Sequence, residues 1–293
     1  MASLATHFTT FLFLCPLGIR RLLCTSSLYL NNPSLYRSRT WYFSDPKWKN
    51  FDFFTLLIAL PIASFADFFF FLTFSGHPIY RFGFLQQSEV VSVFWVLIIL
   101  ILVREYYDPL AIPENFIFIF AGISFLVEYL MIGRGITGLG GVVYELLGEL
   151  TLVCATCCLY LSIRPSAFFA EFLLSSGLVF KGTWALQAGL TLYTDSFALL
   201  RCEKISLSSL SPAQGNSNTD VKCELEADRL RGIALMNLLF VGHAMGIVIV
   251  SFVLFGLLRR NQKLRFGEAN GPLLARIESE TVLMPAVPVF ELE

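Results

Sequence analysis

Seven stretches of this 293-residue chain are apolar over about the length that crosses a bilayer. A spanning helix needs about 20 such residues. The runs are 3–19, 51–74, 88–103, 112–133, 139–163, 167–193 and 232–258. Inside lipid every backbone N–H and C=O must be satisfied within the protein, so long apolar runs become helices. The expected fold is therefore all-α, an integral membrane bundle of about seven transmembrane helices. Residues 194–231 form a long polar loop and 259–293 a flexible tail. The chain is 56% hydrophobic and 15% charged, with 30 phenylalanines. Soluble domains carry about 25% charged residues. With a net charge of −1 and no basic domain, nothing points to a nucleic-acid partner. The implied partner is the lipid bilayer, and no protein partner or cofactor is indicated.

The run at 3–19 is the shortest case but one, and Arg20 and Arg21 stop it. The first 44 residues hold four arginines and no acidic residue, so a transit segment is the rival reading there. Pro61 interrupts the second run, and Pro113 suits the opening of the fourth. Trp41, Tyr42 and Trp48 suit the headgroup level.

Lysine and arginine set the orientation. The loops after spans 1, 3 and 5, together with the tail, hold thirteen of them against seven on the other side. The positive-inside rule then places the amino end outside or in a lumen and the tail in the cytosol. Arg259, Arg260, Lys263 and Arg265 help fix that topology. The loop at 194–231 falls on the oxidising side, where Cys202 and Cys223 could close a disulfide or remain two thiols. The expected location is the secretory pathway or plasma membrane. Cys154, Cys157 and Cys158, mid-span in CATCC, are read as small packing residues rather than metal ligands.

The ionisable residues inside the spans are the candidates for function, because charge in the membrane is costly. Lys181 lies near the middle of the 167–193 run. Glu149 and His243 fall near the same depth, at about 1.5 Å of rise per residue. Glu145, Glu128, Asp67, Glu89 and His7 fall in the outer half. The expectation is a polar cavity open to the outer side, in which Lys181 pairs with Glu149 or Glu145 and His243 borders the pair. Trp184, three residues on, would offer a cation–π face. The competing reading is a pair that only fixes helix register. No phosphate loop, nucleophile elbow or metalloprotease helix is present, and GRGITGLGG follows an apolar helix rather than a strand. No catalytic residue and no metal ligand are assigned.

Several segments resemble the plant-type branch of the transmembrane-protein-forty-five-like family, seven-span proteins of unsettled biochemistry. They are the opening run with His7, Glu89, FLVEYL with Glu128, GLGGVVYELL, KGTWALQAGLTLY with Gly182, Trp184 and Gly189, and LFVGHAMGIVIV with His243. The family's His-x-His and following His fall on Ile132, Arg134 and Tyr144 here, and an acidic residue falls on Gly140. Chemistry run by that histidine cluster is therefore not implied for this chain.

The leading expectation is a multi-pass membrane protein without enzymatic activity, acting as an ion- or small-ligand-handling bundle or a scaffold. The alternatives are a membrane-embedded enzyme on a lipid-like substrate and a seven-span receptor. The enzyme needs a nucleophile or metal that the residues do not supply. The receptor lacks a recognisable coupling motif.

Overall fold

A computed structural model describes residues 4–43, 50–73, 78–106, 112–133, 136, 138–194, 202–204, 221–223 and 225–281. Among the described residues seven α-helices carry the fold: α1 Leu4–Asn31, α2 Phe51–Thr73, α3 Pro78–Tyr106, α4 Glu114–Met131, α5 Gly138–Ile163, α6 Phe168–Tyr193 and α7 Glu226–Thr281. A 3-10 turn, Pro33–Leu35, follows α1. Between α6 and α7 two three-residue strands, β1 Cys202–Lys204 and β2 Val221–Cys223, pair antiparallel. Six helices among the described residues are long and apolar enough to cross a membrane. The helix absent from that set is α6. Glu171, Lys181 and its small residues dilute its apolar character, and most of its residues are buried by neighbouring helices. A helix shielded by protein does not need an apolar surface all round.

The element limits differ from the sequence expectation in three places. Arg20 and Arg21 do not end the first helix, which runs on to Asn31 because both guanidinium groups meet carboxylates. The third helix begins at Pro78, so most of the expected loop before residue 88 is helical. Helix α7 continues past residue 259 to Thr281, through residues of good helix propensity such as Gln262, Lys263 and Leu264. The fold is all-α, as expected, with one short ladder in the 194–231 loop.

Helix α6 is the axis of the bundle. Helix α1 lies along one side of it and α5 along another, while α4 packs on α5 and α3 joins α4 to α2. Helix α7 touches α6, α1 and α5 and leaves a broad apolar face outward, including Leu238, Val241, Ile249 and Phe252. Lipid tails are as apolar as leucine, so close packing and interhelical hydrogen bonds hold such a bundle together. A Cβ on Gly182 would sit 2.8 Å from the Cys15 backbone nitrogen, and one on Gly189 would sit 2.7 Å from the His7 Cβ. The α1–α6 seam therefore requires glycine at both positions. Ser64 of α2 bonds Ser88 and Ser92 of α3 at 3.1 and 2.7 Å, and Ser176 of α6 bonds Ser251 of α7 at 3.1 Å. The turn between α4 and α5 uses Gly133 and Gly138 at φ +66° and +76°, a region side chains disfavour.

Candidate functional site

Two buried ion pairs share helix α6. Ten residues separate Glu171 from Lys181, about 15 Å along the axis. The first pair closes the end of the bundle where α1 stops and α6 begins. Glu171 is fully buried. Its Oε2 accepts hydrogen bonds from Arg21 Nη2 at 3.0 Å and Ser38 Oγ at 2.8 Å. Tyr42 donates to Oε1 at 3.4 Å, and Arg21 Nε approaches Oε1 to 2.6 Å off the N–H direction. Arg21 also donates to the carbonyls of Thr40 and Arg39. The segment after α1 is thereby strapped across the bundle end. The Ser38 amide donates to the Pro165 carbonyl at 2.7 Å. Thr40 donates its amide to Glu114 Oε1 at 2.6 Å, and Arg104 binds the other oxygen of Glu114 at 3.0 Å. Arg20 pairs with Asp52 and donates to the Tyr42 carbonyl and to Asn50. Burial pushes the Tyr42 phenol well above its usual pKa, and the charge of Glu171 adds to the shift. Burial and the same charge raise Tyr36.

The second pair is sparser. Lys181 is 2% exposed and donates from Nζ to Glu128 Oε2 on α4. The ammonium lies 5.0 Å from the centroid of the Phe125 ring. An ammonium carries three donors. Among the described residues Glu128 is the one hydrogen-bond acceptor Lys181 reaches. The Glu128 side chain is 17% exposed, so the pair opens on its carboxylate side. Beside it, Cys154 of α5 packs at Gly177, where a Cβ would stand 3.2 Å from the sulfur.

This arrangement corrects the expected cavity. Glu145 and Glu149 lie on the exposed face of α5 and do not pair with Lys181. Their i, i+4 spacing puts them on one face, but that face turns outward. The aromatic ring over Lys181 is Phe125 rather than Trp184. Trp184 is fully buried and instead packs edge-on against Phe240 and His243. His243 does not border the Lys181 pair but faces Thr183, with Nε2 and Oγ1 2.9 Å apart. His7 is buried at the far end of the α1–α6 seam, 3.5 Å from the Tyr144 hydroxyl and ring to ring with Tyr193. Asp67 is half-buried on α2, which packs on α3, and Glu89 is exposed on α3. An equal expected depth therefore did not mean a shared face.

Sequence reasoning missed Glu171, Arg21, Ser38 and Glu114. A signal existed for Glu171, a lone carboxylate in the apolar run AFFAEFLL. The arginines of α1 were legible only as a stop. Among the described residues, no three of His, Cys, Asp and Glu gather as a metal site would require. Cys202 and Cys223 are direct Cα partners in the β1–β2 ladder.

Residues 114–256 match a family model described as a family of unknown function, DUF716. The match runs from the start of α4 into α7 and so contains Glu128, Lys181 and His243, while α1 with Arg21 and His7 lies before it. No curated protein matches the chain.

Proposed function

We propose that this multi-pass membrane protein handles a small ion, the proton foremost, at the Lys181–Glu128 pair. The observation that carries the reading is the state of Lys181. It is almost fully buried, it has one hydrogen-bonding partner among the described residues, and that partner is partly open. A lysine kept only for packing would be costly at that depth, and intramembrane ionisable groups commonly mark ion or proton paths. The DUF716 match covers both members of the pair. His243 of α7, against Thr183, and His7 of α1, against Gly189 and Tyr193, add titratable groups packed on the same central helix.

In this reading α6 crosses the membrane as a seventh span inside the other six. The amino end lies outside or in a lumen and the α7 end lies in the cytosol, as the lysine and arginine distribution supports. The protein then belongs to the secretory pathway or plasma membrane. The β1–β2 ladder lies on the oxidising side, and Cys202 and Cys223 form a disulfide there. Directly opposed residues of an antiparallel pair have Cα atoms about 4.5–5.5 Å apart, within the range a disulfide spans. A shift in mobility on reducing gels, absent in Cys202→Ser, checks the bridge.

The finer family reading, a divergent transmembrane-protein-forty-five-like protein, draws support from packing. Gly189 receives His7, and Trp184 meets His243, so residues of the resembling segments touch one another.

Vesicles containing the purified protein and a trapped pH dye test the function. A proton gradient should dissipate faster than in protein-free vesicles, and Glu128→Gln should slow it. Rates equal to those of empty vesicles for protons, sodium and potassium would refute ion handling.

A further inference from the structure

The strap across the bundle end has a second face. From Tyr36 to Thr40 its residues alternate, with Tyr36, Ser38 and Thr40 buried and Arg37 and Arg39 exposed. That is the two-residue period of extended chain. Each buried member is anchored. Tyr36 bonds Thr25 at 2.6 Å, Ser38 bonds Glu171 and Thr40 bonds Glu114. Arg21 additionally holds the carbonyls of Arg39 and Thr40. The backbone that presents Arg37 and Arg39 is therefore fixed before any ligand arrives.

Both arginines line an open cavity of about 1160 Å³, together with Arg104, Glu105 and Glu114. The charges within it are unevenly engaged. Glu114 is occupied by Arg104 and Thr40, which leaves that pair neutral. Glu105 is exposed and forms no ion pair among the described residues. Arg20, Arg21 and Arg104 each meet a carboxylate. Arg37 and Arg39 meet none among the described residues. Trp41 and Tyr106 also line the cleft, and such rings suit the headgroup level. Leu35, 80% exposed, extends toward the same opening.

We infer that this cleft binds a phosphate group, that of an anionic lipid headgroup or of a soluble phosphate compound, between Arg37 and Arg39. Guanidinium groups offer paired N–H donors that match phosphate oxygens, and a fixed backbone lowers the ordering cost of binding. The strap end is the arginine-rich side, where anionic lipids concentrate if that side faces the cytosol. The inference does not depend on the role of Lys181.

The test is thermal unfolding of the full chain in neutral detergent. The probes are a short-chain phosphatidylinositol phosphate, phosphatidylcholine and the free inositol phosphate. The phosphoinositide should raise the melting temperature and phosphatidylcholine should not. The double variant Arg37→Gln/Arg39→Gln should unfold at the wild-type temperature without lipid, since neither side chain has a partner to lose among the described residues, and should not respond to the phosphoinositide. An equal response to the free inositol phosphate, lost in the same variant, supports phosphate recognition and assigns a soluble ligand. No rise in the wild type, or the same rise in the double variant, overturns the inference. So does an equal loss of the response in Arg259→Gln/Arg260→Gln, because the effect would then be general charge attraction.

Discussion

Helix α6 carries one carboxylate and one ammonium, and the protein treats them differently. Glu171 is held by Arg21, Ser38 and Tyr42 and ties the strap to α1 and α6. Lys181 is held by Glu128 and a phenyl face. Both are buried, yet Glu171 accepts from three side chains while Lys181 donates to one among the described residues. A buried charge with several partners is fixed in place, and losing any member leaves others stranded. A buried charge with donors to spare can change partner or proton at smaller cost to the fold. The first is the structural joint of the bundle end, and the second is the place where chemistry can happen without dismantling it.

The largest effect should come from the Arg21–Glu171 pair. Glu171→Leu leaves Arg21 buried without its counter-ion and should cost about 3–5 kcal/mol, the usual penalty for breaking a buried pair. Thermal unfolding in detergent reads it, and limited proteolysis of the 32–43 segment should accelerate in parallel. The double change Arg21→Met/Glu171→Leu should recover only part of the loss, because Ser38, Tyr42 and the Arg39 and Thr40 carbonyls still lose their partners. Full recovery would erase the contrast between the two sites.

Lys181→Met should cost less, about 1–3 kcal/mol, since the Glu128 carboxylate it leaves behind is partly open to solvation. Here the double variant Lys181→Met/Glu128→Gln should return to near wild-type stability. A loss as large as that of Glu171→Leu would place Lys181 among the structural groups.

Gly189→Ala forces a methyl against the His7 side chain and should cost about 1–2 kcal/mol, typical of overpacking. It should leave the strap intact, so proteolysis of 32–43 should not change. The smallest effect belongs to Tyr42→Phe, within about 1 kcal/mol at neutral pH for one long hydrogen bond. Its pH signature is sharper. The folded phenol pKa is raised, so its stabilisation is complete below about pH 10 and fades as pH climbs above that value. The variant should lose less stability than the wild type between neutral and strongly alkaline pH. Equal alkaline loss would show that Tyr42 is not buried beside Glu171.

Much of the bundle was legible because apolar runs in lipid have one solution. The helices at 51–74, 112–133 and 139–163 fall close to where hydropathy alone places them. Hydropathy misled at 20–31, where Arg20 and Arg21 sit inside a helix because carboxylates neutralise them, and at 78–87, where Arg81 donates to the Phe71 carbonyl. The site was half legible. The apolar runs placed Glu128, Lys181 and His243 on α4, α6 and α7. Which face each side chain uses depends on helix rotation, and rotation is set by packing such as Gly182 against Cys15. That is why Glu149, at the expected depth, points outward while Glu128 meets the lysine. Arg21 and Glu171 are 150 residues apart in sequence, and no local pattern joins them.

The most direct measurement is the proton flux of vesicles containing the Lys181→Met/Glu128→Gln double variant, beside its melting temperature. If the pair is the working site, the fold should hold, with a melting temperature near wild type, and the flux should fall to that of protein-free vesicles. Wild-type flux in a stable double variant would contradict the assignment and leave Lys181 and Glu128 as a second structural joint.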